Sequence, residues 1–335
     1  MFHSIKIPYE DQMTHLYFWR NCNEELPPEK SLFAITAVNM GDRPSACIAQ
    51  VCLRKSAERY RQEHPEAAKI IIRNAYMDDI ASSSTSKDEA ESNMKEMDTI
   101  LESNGFRIKE WIKTGEERRE PKKNEVQTKV RVLAGVEEGM VDGVESVLGM
   151  QWDPKEDTIG YHFKVCSETK ITKRSILSVT NAIFDPLGLV APITVNAKII
   201  LRQIWAKSPK IDWDDEVPSH IRKEWEELRI DMTKIDQVKI PRSLTPKDPK
   251  GLPMLIVFSD GSSKAYGAVA YIRWKVEGGY SCHIISAKSR VAPIKIIDIV
   301  RLELCGAVVG VRLRNTITRE LELQFSKLCI LLTAK

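Results

Sequence analysis

The sequence lacks the features that most quickly assign a chain. Its seven cysteines, at 22, 47, 52, 166, 282, 305 and 329, are odd in number, scattered and nowhere spaced Cys-x-x-Cys. That argues against a disulfide framework and against a zinc site. No stretch approaches the ~18 apolar residues of a membrane span, and the opening MFHSIKIPYEDQ lacks the basic-then-apolar layout of a signal peptide. The expected setting is intracellular, cytoplasmic or nuclear, with no membrane partner. Charge of one sign is missing too: 50 basic against 47 acidic residues leave +3, so any nucleic-acid surface must come from local clustering. The remaining composition is ordinary, 42% apolar and 29% charged over 335 residues. That supports a sizeable core divided over two or three domains.

The most pointed stretch is Tyr76-Met77-Asp78-Asp79-Ile80. Ile70-Ile71-Ile72 reads as a strand leading in, Ile80-Ala81 leads out, and a polar run from Ser82 to Ser86 follows, which predicts a β-hairpin exposing two adjacent carboxylates. Such a pair repels itself unless divalent cations neutralise it, and oxygen-rich sites suit Mg²⁺ in the two-metal clamp of phosphoryl transfer. Asp is also an ordinary turn residue, the reading that Asp-Asp alone would favour. Upstream, HSIKI alternates like a strand, HLYFWR (15–20) is a second candidate, and the cluster Met40 to Ser45 opens a helix expected from about Ala46 to Glu63. Downstream, Ser86 to Glu89 forms a capping box ahead of a helix with Ala90, Met94, Met97 and Leu101 on one face, stopped at Gly105. GFRIKEWIKT (105–114) reads as a strand. Residues 115–137 read as a solvated charged loop, in which Lys122, Lys123, Lys129 and Arg131 are minor candidates for phosphate contact.

A hairpin is predicted over 143–165, turning at Asp153 to Asp157, with Trp152 as its apolar anchor or as a stacking surface. Two helices follow between Thr172 and Ser208, the first burying Ile176, Val179, Ala182 and Ile183, the second Val195, Ile199 and Trp205. A Pro218-started helix carries Ile221, Trp225, Leu228 and Met232, and a Pro/Lys-rich linker runs from Pro241 to Pro253. The last segment changes character. MLIVFSD is a strand ending in Asp260, AYGAVAYIRW its hairpin partner, YSCHIISAKSR a third strand, and RLELC opens a long helix with Glu303 near its start. A carboxylate at a strand end and another near a helix start are what a two-metal nuclease site needs.

These segments together resemble the Pol proteins of Pao/BEL retrotransposons. YMDDI in its frame is similar to the catalytic hairpin of reverse transcriptases. MFHSIKI resembles the tail of their first motif, whose Asp lies just before the Met-Phe, and NMGDRPSACIAQ their nucleotide-pocket segment. VLG with Trp152 resembles the Leu-Gly-x-x-Trp signature behind the palm. SVTNAIFDPLGLVAPITVNAKIILRQIW resembles the family named Pao retrotransposon peptidase. That name invites an aspartic protease, but Asp185 is followed by Pro and Asp260 by Gly-Ser, so neither makes the required Asp-Thr/Ser-Gly. FSDGSSKAYGAVAY and RLELCGA resemble ribonuclease H, whose third carboxylate follows the next strand where this chain reads Thr333-Ala334-Lys335.

The resemblance implies a multidomain α+β and α/β chain. It would hold a partial reverse-transcriptase palm (1–165), a helical, thumb-like connection region (166–250) and a C-terminally truncated ribonuclease H-like domain (251–335). Asp78, Asp79, Asp260 and Glu303 would be the catalytic and metal-binding residues, with Mg²⁺ or Mn²⁺ as cofactor. Gly41, Pro44, Ser45, Tyr76 and Met77 would bind nucleotide. The implied partners are RNA template, DNA primer, RNA–DNA hybrid, dNTP and the remainder of a Pol polyprotein. Each metal site lacks one carboxylate. The expected function is therefore that of an RNA-directed DNA polymerase and ribonuclease H fragment inactive as an isolated chain, or alternatively a non-catalytic nucleic-acid-binding remnant.

Overall fold

The computed structural model describes residues 1–19, 25, 32–76, 79–115, 145–147, 150–163, 170–206 and 211–332. They fall into two compact units, Met1–Ile112 and Lys113–Lys335. Of the charged loop expected at 115–137, residues 116–137 and with them its four basic candidates lie outside the described residues.

In the first unit a 3-10 turn (Phe2–Ser4) and α1 (Tyr9–Gln12) precede β1 (Leu16–Phe18), which pairs antiparallel with β2 (Leu32–Ala34). Then come α2 (Ser45–Arg59), α3 (Pro65–Asn74), the hairpin β3 (Ala75–Tyr76) and β4 (Asp79–Ile80), and α4 (Lys87–Glu102). HSIKI is not a strand; it supplies the 3-10 turn and then a single bridge, Lys6 to Ala37. Ile70-Ile71-Ile72 is not a strand either, but part of α3. Pro65 begins that helix where its missing N–H costs nothing, and Ala67, Ala68 and Ile71 bury along one face. A short apolar run does not distinguish the two periods. Residues 105–114 also differ from expectation. They form no strand, Phe106 tucks into the core, and Trp111 Nε1 donates to the Asp98 carboxylate.

Fully buried Ala57, Ala67 and Ala68 let α2 and α3 pack closely, and Leu53, Ile71, Met97, Ile100 and Leu101 complete this core. At the start of α4 the Ser86 hydroxyl accepts from Glu89 N, as the capping pattern requires. The Glu89 carboxylate reaches Thr85, accepting from its hydroxyl and its amide, and that hydroxyl contact holds the carboxyl below its ordinary range.

The second unit opens with β5 (Glu145–Val147), β6 (Met150–Asp153) and β7 (Thr158–Gly160), an antiparallel meander. The turn between β6 and β7 closes on Asp157, at φ +50°, the one non-glycine residue with positive φ among those described. Its carboxylate accepts from Trp152 Nε1 and from Arg242, so Trp152 anchors the hairpin. Helices α5 (Lys173–Ala182), α6 (Ala191–Ala206) and α7 (Ser219–Met232) follow, and β8 (Ile240–Pro241) returns to pair with β7.

Ile176, Val179, Ala197, Ile200, Leu201, Ile204, Ile221, Trp225, Leu228 and Met232 form the core of these helices. The buried face of α7 is the expected one. That of α6 is turned: Thr194, Ala197, Ile200, Leu201 and Ile204 face inward, while Val195 and Ile199 are half-buried and Trp205 is exposed. This helix is apolar on most sides, so spacing alone does not choose its inner stripe. Ala182 of α5 is exposed as well.

The chain ends in β9 (Met254–Gly261), β10 (Ala265–Val276), β11 (Gly279–Val291), α8 (Ile299–Glu320) and β12 (Lys327–Leu332). The sheet order is β11-β10-β9-β12: an antiparallel meander, a crossover through α8, and a last strand parallel to the first. Leu255, Val257 and Ala270 of the sheet pack with Val309 and Ile317 of α8. The helices ahead of the sheet dock onto it directly. Leu187 O accepts from Ala287 N and from the Ser286 hydroxyl, and Gly188, at φ +76°, lies where a Cβ would fall 2.0 Å from Ala287 O.

Candidate functional site

The backbone segments that carry Asp260 and Glu303 meet at one corner of this sheet, and glycines bring them there. Along β9 the side chains of Leu255, Val257 and Ser259 are buried, and Asp260 next to them is exposed. On α8, Gly306 and Gly310 stand one turn apart facing β9. A Cβ on Gly306 would lie 2.6 Å from Asp260 O, and one on Gly261 would lie 2.6 Å from Glu303 N. Backbone therefore touches backbone, and the strand end carrying Asp260 sits against the helical turn carrying Glu303. Among the described residues neither carboxylate is in an ion pair; Asp260 Oδ1 accepts only from the adjacent Gly261 N, at 2.8 Å.

The strand beside this corner is β12, which runs in step with β9 until Leu332 stands opposite Ser259, the residue before Asp260. Thr333, Ala334 and Lys335 lie outside the described residues. Among the described residues no group of three His, Cys, Asp or Glu is placed to hold a metal. Two carboxylates suit a hard cation chemically, but they are too few for a pair of ions.

The second acidic candidate is the β3–β4 hairpin. It forms as expected, with Tyr76 opposite Asp79, and Tyr76 is 64% exposed. Met77 and Asp78 lie outside the described residues. In the expected nucleotide segment Gly41 takes φ +103°, Pro44 caps α2, and Ser45 is buried with its hydroxyl donating to Asn39 O at 2.6 Å. That bond ties the turn to the helix start.

Asp185 is committed to the fold. Its carboxylate accepts from Tyr161 Oη at 2.7 Å, Leu189 N at 2.9 Å and Val190 N at 3.0 Å, joining the end of the β7 segment to the entry of α6. Burial, then the bond to Asp185, pushes the Tyr161 phenol above its ordinary range, so it remains a donor. All three bonds are structural, and they tie the Asp185 carboxylate to its own segment and to Tyr161. Tyr161→Phe should cost about 1–3 kcal/mol by leaving carboxylate capacity unfilled in a part-buried site, measured by urea denaturation; an unchanged midpoint would refute the tie. Sequence reasoning missed this link and the glycine seam, although the Gly306-x-x-x-Gly310 spacing was a signal for the seam.

Residues 172–332 match the family model described as the Pao retrotransposon-like RNaseH-like domain, which takes in α5–α7 as well as the sheet. Two solved structures share the fold. One is a foamy viral protease-reverse transcriptase in complex with dsDNA (TM-score 0.53, 15% identity), of which this chain, 98% covered, spans 57%. The other is the dRH form of that protein with dsDNA (TM-score 0.50, 13% identity), with 97% of this chain and 47% of that one covered. No curated protein sequence matches the chain. Over residues 172–332, just under half of its length, the chain is thus similar to the Pao retrotransposon-like RNaseH-like domain.

Proposed function

We propose that the chain is a nucleic-acid-holding part of a retrotransposon Pol polyprotein. Its first unit derives from a reverse-transcriptase palm and its second from a connection region and ribonuclease H, with RNA–DNA hybrid as the principal ligand. The observation that carries this reading is the Asp260–Glu303 corner, built by Gly261 and Gly306 on a sheet of order β11-β10-β9-β12. The foamy viral proteins of like fold hold dsDNA, which supports a duplex partner.

Mg²⁺ or Mn²⁺, if bound, would be held by Asp260 and Glu303 and would neutralise charge at a scissile phosphate. Among the described residues the donor set stops at two, and the Ala334 side chain has no ligating atom, so no hydrolytic step is assigned to this chain. Asp79, with Asp78, is the corresponding candidate on the hairpin, and Gly41, Pro44, Ser45 and Tyr76 the candidate nucleotide contacts. The function is binding without chemistry.

Phosphate contacts dominate such binding, so affinity for a labelled RNA–DNA hybrid should be indifferent to sequence and fall linearly on a log–log plot as salt rises. Fluorescence anisotropy across a salt series tests this. Affinity that ignores ionic strength, or no binding at micromolar protein, would overturn the reading.

A further inference from the structure

Away from the acidic corner, the start of α5 carries a cluster that the fold does not explain. Trp205, on the last turn of α6, and Trp213 are 41% and 40% exposed. Their rings meet edge to face at 6.3 Å and 84°. Lys173 Nζ lies 4.9 Å from one ring centroid and 4.7 Å from the other, and the Arg174 guanidinium 5.7 Å from Trp213. Large aromatics are usually buried more deeply than this, and a pair left open is a common mark of a contact surface.

Backbone hydrogen bonds tie the cluster together. Arg174 N donates to Trp213 O, Val217 N to Ile171 O, and Thr172 bridges Glu216, so the loop carrying Trp213 is stitched to the head of α5. Its acids are all engaged within the protein. Asp214 takes the Arg174 fork at 2.7 and 3.0 Å, Glu216 takes Arg222, Asp212 accepts from Trp213 N and Asp215 from Asp212 N. Among the described residues Lys173 alone in this cluster has no carboxylate partner, and its charge rests on two indoles.

From this arrangement we infer that Trp205, Trp213 and Lys173 form a stacking platform for single-stranded nucleic acid, separate from any duplex track. A base stacks on the exposed indole surface and one phosphate pairs with Lys173, chemistry that tolerates any sequence. Asp214 and Glu216 already take up Arg174 and Arg222, so among the described residues of the cluster Lys173 is the cation left for a phosphate, and stacking carries the affinity. A site with one phosphate contact has a salt slope of only about 0.7, against the steep slope of a duplex track. This inference rests on the proposed nucleic-acid function, placing within it a second, salt-insensitive site.

The test is anisotropy of a labelled oligodeoxythymidylate and of a labelled RNA–DNA hybrid against the full chain. Trp205→Ala and Trp213→Ala should each weaken binding of the single strand, by roughly 5- to 150-fold, and leave hybrid affinity within about twofold. Trp205→Phe and Trp213→Phe should retain most of it, which separates stacking from loss of fold. Lys173→Gln should remove the small salt slope. Alanine variants of native circular dichroism that bind the single strand like the parent would overturn the inference. So would a wild-type chain that binds hybrid but no single strand, with the proposed function left standing; failure to bind either would sink both. Quenching of tryptophan emission by a lysine-rich peptide but not by the oligonucleotide would also overturn it, in favour of a protein-binding surface.

Discussion

Gly306→Ala should destabilise the second unit by about 3 kcal/mol, although alanine is normally the better helix former by up to ~1 kcal/mol. The added methyl would sit 2.6 Å from Asp260 O and 3.0 Å from Asp260 C, and both atoms belong to a central strand that cannot step aside. Helix α8 must lift, which also parts Glu303 from Asp260. Overpacking of this kind costs 1–3 kcal/mol, occasionally more, and for a unit of this size would lower the melting temperature by roughly 6–12 °C. Gly310→Ala is the control. Its new methyl would meet the side chains of Ser259, Val257 and Ala268 at 3.3–3.6 Å, so its effect should stay within about 1 kcal/mol of zero. Thermal melts of the two variants decide the matter. If Gly306→Ala melts with the parent, α8 is not seated on β9 through that glycine, and the acidic corner loses its basis.

How much of this was legible in the sequence depended on whether a local signal was unambiguous. The inward face of α7, at Ile221, Trp225, Leu228 and Met232, was legible because every apolar residue of that helix except the exposed Ile230 falls on one stripe. The stripe of α6 was not, because its neighbouring faces are apolar too. The three isoleucines of α3 satisfy both periods, and only the Pro65 start and the alanines before them decide for helix. Asp260 and Glu303 were legible as residue types in a familiar order. Their meeting was not, since it depends on close backbone approach at Gly261 and Gly306, which a pattern of apolar positions does not encode. Tyr161 and Asp185, 24 residues apart, were likewise joined only by the fold.

The wild-type chain should cleave no RNA from an RNA–DNA hybrid in Mg²⁺ or Mn²⁺, and Ala334→Asp should tighten Mn²⁺ binding by about tenfold or more. The argument is one of ligand count. The backbones carrying Asp260 and Glu303 share a corner, the parallel ladder of β12 reaches Leu332 opposite Ser259, and Ala334 follows two residues later in the sequence. An alanine side chain offers a cation nothing, whereas a carboxylate would add both a charge and an oxygen ligand. Losing an outer-shell partner already costs 10- to 100-fold in metal affinity, so gaining a direct ligand should do at least as much. Titration calorimetry with Mn²⁺ reads the effect without requiring turnover. Adding Asp260→Asn to Ala334→Asp should return affinity to the parent level, because the new carboxylate works only together with the old pair. If Mn²⁺ affinity does not change on Ala334→Asp, or the unaltered chain cuts hybrid in a reaction that Asp260→Asn abolishes, the third ligand of this corner lies elsewhere in the chain.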